Sequence, residues 1–266
     1  MLLKVEDLMI TLKKSNTILV DKVTIQLMSG EICALIGESG SGKTLTGLSL
    51  MGLLSSDVFT VRGNISFDNQ QLSDESEKKR AKLRLSQMAM IYQEPMSCFN
   101  PVLKIKTQCY FAIRQHQRLS KQELNEVIIP FLLRVGLENP SAILEKYPGE
   151  LSGGQLQRVM IALALVLKPK LLICDEPTTA LDVHTQSTIV SLLKELAAEF
   201  NMAIIFITHN LGLIENFADY LLIMKDGAII EEGRAIQVLN KPEKDYTKSL
   251  LDSQMSQLLS KSKKIG

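Results

Sequence analysis

Residues 37–44 read Gly37-Glu38-Ser39-Gly40-Ser41-Gly42-Lys43-Thr44, which fits the spacing G-x-x-x-x-G-K-[ST]. The apolar run Ile32–Ile36 precedes them and the apolar segment 44–54 follows, so the local order is strand, glycine-rich loop, helix. That context separates a phosphate cradle from a chance flexible loop. Glycines let backbone N–H groups turn inward around phosphate oxygens, and the helix N-terminus adds its positive end. In such a loop Lys43 reaches the β and γ phosphates and the Thr44 hydroxyl coordinates Mg²⁺.

Outward from this loop the first third of the chain reads as short strands at 2–5, 23–27, 32–36 and 63–67, separated by turn residues such as Ser29-Gly30. The charged stretch 73–84 mixes both signs and reads as a solvated helix face. From about 102 to 151 the spacing is helical, as in Glu123, Val127, Phe131 and Val135, with interruptions expected at Pro130, Pro140 and Pro148. The last third alternates: strand 171–174, helix 185–199, strand 203–207, a helix from Leu211, strand 220–224. That is the pattern of a parallel sheet flanked by helices. The basic run Ser260-Lys261-Ser262-Lys263-Lys264 reads as a solvated tail.

Two more segments carry chemistry. Leu171-Leu172-Ile173-Cys174-Asp175-Glu176 is an apolar strand that delivers two carboxylates at its C-terminal end, the edge where α/β sheets bind ligands. Asp175 there can hold Mg²⁺ while Glu176 polarises an attacking water. Leu151-Ser152-Gly153-Gly154-Gln155 places a serine and two glycines before a helix, a second N-terminus open to a phosphate.

Composition narrows the classes. Of 266 residues 45% are apolar and 22% charged, enough to bury a core and keep a polar surface. With 30 Lys+Arg against 29 Asp+Glu the net charge is +1, which offers no long-range field to gather nucleic acid. Cys33, Cys98, Cys109 and Cys174 are scattered with no C-x-x-C pair, and Cys33 and Cys174 lie in apolar runs as core residues of a reducing cytosol. The acidic Glu6 and Asp7 break what an export signal would need, and the longest apolar runs, such as 160–167, fall short of the roughly 20 residues of a membrane-spanning helix. Any membrane is expected to be met through partners.

The segment 151–155, followed by Leu156-Gln157-Arg158, resembles the signature of ABC transporter ATPases. The resemblance implies an α/β fold: a P-loop NTPase core with a mostly parallel sheet, an N-terminal antiparallel β subdomain and an inserted helical subdomain. All of 1–266 would then form one ABC ATPase domain, with the core at about 1–92 and 159–266 and the helical subdomain, signature included, at about 93–158. It also implies ATP and Mg²⁺ as cofactors. Two subunits would pack head to tail, so that Ser152, Gly153, Gly154 and Gln155 meet ATP held on the partner's P-loop. Gln93 looks like the Q-loop glutamine that senses Mg²⁺ and water, Asp182 in Ala180-Leu181-Asp182 like the D-loop at the dimer interface, and His209 like the switch histidine at the γ-phosphate. Two positions depart from the family pattern. Leu12 stands where an aromatic residue usually stacks on adenine, which implies weaker base selectivity, and Asn210 replaces the Asp that commonly follows the switch histidine.

Further features resemble the oligopeptide/dipeptide/nickel importer group: Tyr92-Gln93-Glu94-Pro95-Met96 leading to Phe99-Asn100-Pro101, Glu145-Lys146-Tyr147-Pro148, and Lys241-Pro242 leading to Asp245-Tyr246-Thr247-Lys248-Ser249-Leu250-Leu251. Many peptide members carry a cysteine-containing C-terminal extension. With no cysteine after Cys174, the resemblance tilts toward nickel or a metal chelate. The dispersed His116, His184 and His209 make no ligand cluster for such a cargo. The implied partners are a second ATP-binding subunit, two integral-membrane permeases and, indirectly, an extracytoplasmic solute-binding protein, at the cytoplasmic face of the membrane. Two alternatives are a soluble ABC ATPase acting on nucleic acid or the ribosome, and a non-hydrolytic regulatory subunit. The first lacks support from charge or from any long coiled-coil insertion, and the second is disfavoured by the complete set of hydrolytic positions.

Overall fold

A computed structural model of the chain describes the backbone of residues 1–73 and 75–262, and the side chains of these except 183–184 and 254–262. Asp74 of the charged stretch, the side chain of His184 and the basic side chains after Ser260 therefore lie outside the described residues. The chain makes two compact units, Met1–Glu75 together with the chain from Ala203, and Ser76–Met202.

The first unit opens with β1 (Leu3–Leu12), β2 (Thr17–Leu27), β3 (Ile32–Ile36), α1 (Lys43–Leu50), β4 (Phe59–Phe67) and β5 (Gln70–Gln71). An antiparallel sheet runs in the order β2-β1-β4-β5. Leu3, Val5, Leu8 and Ile10 are all fully buried, but the two-residue period slips at Glu6-Asp7, where the pairing with β2 and β4 is irregular. That slip hides the full ten-residue strand from a reading by alternation, which ends it at Val5.

The second unit contains α2 (Glu77–Leu83), β6 (Met88–Ile91), α3 (Pro95–Cys98), α4 (Ile105–Arg114), α5 (Lys121–Arg134), α6 (Pro140–Glu145), α7 (Gly153–Leu165), β7 (Leu171–Asp175) and α8 (Val183–Phe200). None of the α2 residues is buried, in keeping with a solvated charged face. Pro130 does not interrupt the chain as expected: α5 runs through it. Its ring lies on the exposed side, so the carbonyl one turn earlier that loses an N–H partner can turn to water. Pro140 and Pro148 do punctuate, each opening a helical turn.

The chain re-enters the first unit with β8 (Ala203–Ile207), β9 (Tyr220–Lys225), β10 (Ala228–Arg234), α9 (Ala235–Asn240) and α10 (Asp245–Ser262). Here β3 lies parallel between β8 and β9, and β10 turns back antiparallel on β9. In the second unit β6 and β7 are parallel. The chain is thus α/β, with one antiparallel sheet and mostly parallel pairing elsewhere. Every residue of β3, β7 and β8 is buried, as near-continuous apolar runs require when both faces of a strand are covered. The helix expected from Leu211 is a single 3-10 turn, Leu211–Leu213, because the Asn210 side chain accepts the Gly212 N–H at 3.1 Å and Ile214 and Phe217 are drawn into the core. Ile214, Leu221, Ile223, Val238 and Leu250 form one cluster with Ala34 and Ile36, which fixes α9 and α10 beneath β3.

Candidate active site

In the first unit the glycine-rich loop leaves β3 and enters α1. A Cβ on Gly37 would lie 2.1 Å from the Met224 carbonyl oxygen, so only glycine lets the loop pass β9. At Gly42 φ is +103°, and a Cβ would fall 2.8 Å from Met224 Cε and 3.0 Å from the Leu19 carbonyl. The buried Lys43 ammonium donates to the carbonyls of Gly37 at 2.9 Å and Glu38 at 2.7 Å, and to Ser41 Oγ at 3.3 Å. The phenol of Tyr246 in α10 accepts the Glu38 N–H at 3.2 Å, and Lys225 Nζ stands 4.8 Å over the Tyr246 ring. Glu38, Ser39, Gly40 and Thr44 are exposed. Helix α1 has no side-chain cap and no acid in its first turn, so nothing within that turn offsets its N-terminal partial charge.

His209 follows β8. Since Leu35 pairs with Ile207 in parallel register and Thr208 N donates to Leu35 O at 3.3 Å, His209 and the loop leave neighbouring strands at the same, C-terminal edge. The exposed His209 is thus placed beside the loop by pairing, and Thr208 Oγ1 accepts the Asn210 N–H at 3.0 Å to shape the turn.

In the second unit the same logic brings Gln93 and the two carboxylates together. Ile91 pairs with Cys174, so the residues just beyond β6 and β7 emerge side by side. Gln93 Nε2 donates to Glu176 Oε2 at 3.2 Å. Asp175 is 3% exposed at the strand end, whereas Glu176 is half-buried. The Glu176 backbone adopts φ +46°, a left-handed conformation that costs strain in a residue other than glycine.

The signature segment begins α7. Ser152 Oγ accepts the Gln155 N–H at 3.2 Å and Gln155 Oε1 accepts the Ser152 N–H at 3.1 Å, a capping box that engages both side chains locally. A Cβ on Gly153 would meet only Ala180 Cβ, at 3.8 Å, and one on Gly154 would touch the Ala180 carbonyl and Leu181 Cδ2 at 3.4 Å. Neither glycine is demanded by crowding among the described residues, yet glycine is the weakest helix former after proline. Asp182 caps α8, accepting the Thr185 N–H at 3.0 Å and its hydroxyl at 2.7 Å. Within the second unit Gln93, Asp175 and Glu176 form one group, and Ala180-Leu181, directly before Asp182, packs on the signature glycines at the start of α7.

Sequence reasoning assigned nothing to Tyr246 or Gln157 beyond a family likeness, and nothing to Gln186. Gln157 offered one signal: an uncharged polar residue amid the apolar positions Leu156, Val159, Met160 and Ile161. The donors proposed for a cation, the Thr44 hydroxyl, the Gln93 amide oxygen and the Asp175 carboxylate, are all hard oxygens of the kind Mg²⁺ prefers. The bond from Gln93 to Glu176 uses the amide nitrogen and leaves that oxygen uninvolved. Among the described residues no helix is long and apolar enough to cross a membrane.

Residues 20–179 match the family model described as ABC transporter. A peptidoglycan transport ATP-binding protein of Agrobacterium fabrum is 42% identical over 94% of this chain, but over only 46% of that protein. The chain thus spans about half the length of the first curated relatives it matches. A metal-staphylopine import system ATP-binding protein of Staphylococcus aureus is 42% identical, with 95% of this chain and 93% of that protein covered. Among solved structures, a dimeric post-hydrolysis state of an ATP-binding cassette bound to ADP and Pi superposes with a TM-score of 0.79 at 27% identity, covering 88% of this chain and 98% of that one.

Proposed function

The chain belongs to the ABC transporter family, and on that premise we propose that it is the ATP-hydrolysing, energy-coupling subunit of a membrane importer. The observation that carries the proposal furthest is the Gln93 amide at 3.2 Å from the carboxylate of Glu176, next to the buried Asp175. It supports Glu176 as the base: an amide donor fixes the direction of the carboxylate that would take a proton from water.

The remaining roles follow residue by residue. Lys43 exchanges its loop carbonyls for the β and γ phosphates, with the N–H groups of 38–44 and the uncapped end of α1 around them. Thr44, Gln93 and Asp175 hold Mg²⁺, which when bound neutralises charge on the β and γ phosphates. His209 donates to a γ-phosphate oxygen. Ser152, Gly153, Gly154, Gln155 and Asp182 serve the ATP of a second, homologous subunit in a homodimer or heterodimer. That no described residue crowds Gly153 or Gly154 supports this, because close approach by something outside the chain would then be their use. We take about 93–158 as the helical subdomain that engages two permeases at the cytoplasmic face, and about 1–92 and 159–266 as the core, with an extracytoplasmic solute-binding protein delivering cargo.

The cargo is a nickel or other metal chelate, or a small peptide. Relatives that serve oligopeptide transport and metal-staphylopine import support those two classes without choosing between them. The soluble alternative acting on nucleic acid or the ribosome gains nothing from a net charge of +1 or from relatives that are transport proteins. The deciding experiment is uptake of labelled nickel and labelled dipeptide in a strain lacking the gene, restored with wild type or Glu176→Gln. Rescue by wild type alone supports the motor. Rescue by both variants overturns the hydrolytic role.

A further inference from the structure

Gln157 is fully buried in α7, and its Nε2 donates to the Pro177 carbonyl at 2.6 Å. That oxygen can only accept, so the orientation of the amide is settled. Its Oε1 is then left buried with no hydrogen-bond partner. A side chain of the same length without polar atoms would fill the space and avoid stranding an acceptor. What glutamine supplies here and an apolar residue does not is the single donor to Pro177.

The carbonyl belongs to the residue immediately after Glu176. The loop 176–181 is held throughout by side chains reaching its backbone oxygens. Thr179 Oγ1 donates to Glu176 O at 3.2 Å, and Gln186 Nε2, from α8, donates to Thr178 O at 2.8 Å and Leu181 O at 3.3 Å. A left-handed backbone at a non-glycine residue persists only when its surroundings over-determine it, and Glu176 has that backbone. Less than two turns earlier on α7, five residues or about 7 Å before Gln157 along the helix axis, stands the Ser152 cap. The signature glycines rest on Ala180-Leu181, at the far end of the same loop.

We infer that Gln157 is a positioning residue that ties the signature end of α7 to the hydrolytic carboxylate of the same subunit. This rests on the function proposed above: there, the signature of one subunit meets the ATP of its partner while Glu176 acts on its own ATP. Gln157 then carries the occupancy of one ATP site to the base of the other. A rigid helix moves as a unit, so a shift of its N-terminus on engaging phosphate displaces Pro177 and with it the Glu176 backbone.

The test uses the purified full-length chain as wild type, Gln157→Met, Gln186→Met, the double variant, and Leu156→Met as a core control on the same helix. Steady-state ATPase activity, its ATP dependence and thermal melting are measured. The expected result for Gln157→Met is a melting temperature matching Leu156→Met, KM within about twofold, kcat down about tenfold and a Hill coefficient falling toward 1. The effects of Gln157→Met and Gln186→Met should not add, since both act on one loop. Unchanged kcat and cooperativity in Gln157→Met would overturn the inference while leaving the ATPase reading intact. A loss of activity that merely tracks a lowered melting temperature overturns it too. Absence of hydrolysis by the wild-type chain, assayed alone and together with a homologous ATP-binding subunit, overturns the functional reading itself.

Discussion

Gln93 and Glu176, 83 residues apart in sequence, meet as amide and carboxylate at 3.2 Å because β6 and β7 run parallel and end together. Replacing Glu176 by Gln keeps the volume and the hydrogen-bonding shape but removes the proposed base. Nucleotide affinity is expected to change little while kcat falls by about 10² to 10⁴, measured by ATP titration and steady-state phosphate release. Retained turnover would move the base elsewhere.

Gly37 and Gly153 make a contrasting pair. An alanine at 37 would place its Cβ 2.1 Å from a backbone oxygen, so Gly37→Ala should cost about 1–3 kcal/mol in stability and abolish nucleotide binding. At 153 the nearest atom would be 3.8 Å away, so Gly153→Ala should melt no lower than wild type yet, on the proposed function, lose about tenfold in ATPase rate, the methyl obstructing the proposed approach of the partner's phosphate. Chemical denaturation and ATPase assays of both variants separate the two cases.

Tyr246→Phe deletes only the hydroxyl that accepts the Glu38 N–H and leaves the ring beneath Lys225. Stability should drop by about 0.5–1.5 kcal/mol, with ATP bound more weakly because the loop is less well fixed. Identical ATP affinity would make this contact a matter of docking α10 alone.

Burial pushes the Cys33 and Cys109 thiols up to about 12, and the buried Cys174 thiol rises as well. A raised thiol pKa means less thiolate at a given pH, so these three should be inert to an aromatic disulfide reagent at pH 8 until the protein unfolds. The exposed Cys98 should be the thiol that reacts first. Reaction of two or more thiols in the native chain would show that the core opens on the timescale of the assay.

Leu12 at the end of β1 pairs across the sheet with Phe59 of β4, and both are half-buried. With an aliphatic side chain where an aromatic one usually stacks, ATP and GTP are expected to bind within about fivefold of each other, a gap under 1 kcal/mol. A strong ATP preference in competition binding would sink that expectation and direct attention to Phe59.

Sequence spacing revealed most of what is local. The glycine-rich loop, the acidic end of β7 and the runs that become β3 and β8 could each be read within a dozen residues, because period and glycine placement are short-range signals. What escaped depends on distant neighbours. Pro130 stays inside α5 because its side of the helix is exposed, the stretch from Leu211 is pulled into a single turn by Asn210 and the core, and the bulges of β1 depend on the partner strands. Gln157 and Tyr246 act on backbone groups 20 and 208 residues away, and although the polar Gln157 stands out among apolar neighbours, nothing local names the partner of either.

The parallel pairing of β3 has a consequence for how the chain is made. Ile32 must wait for Ile204, and Cys33 for Tyr220, before either edge of that wholly apolar strand is covered. At about 5–20 residues per second, ribosomal synthesis leaves it uncovered for on the order of 10 to 30 s. The whole of Ser76–Met202 emerges in that interval and can settle first. A nascent chain stalled short of Ala203 would therefore display a bare, aggregation-prone strand, making this stretch a natural client for a chaperone at the tunnel exit.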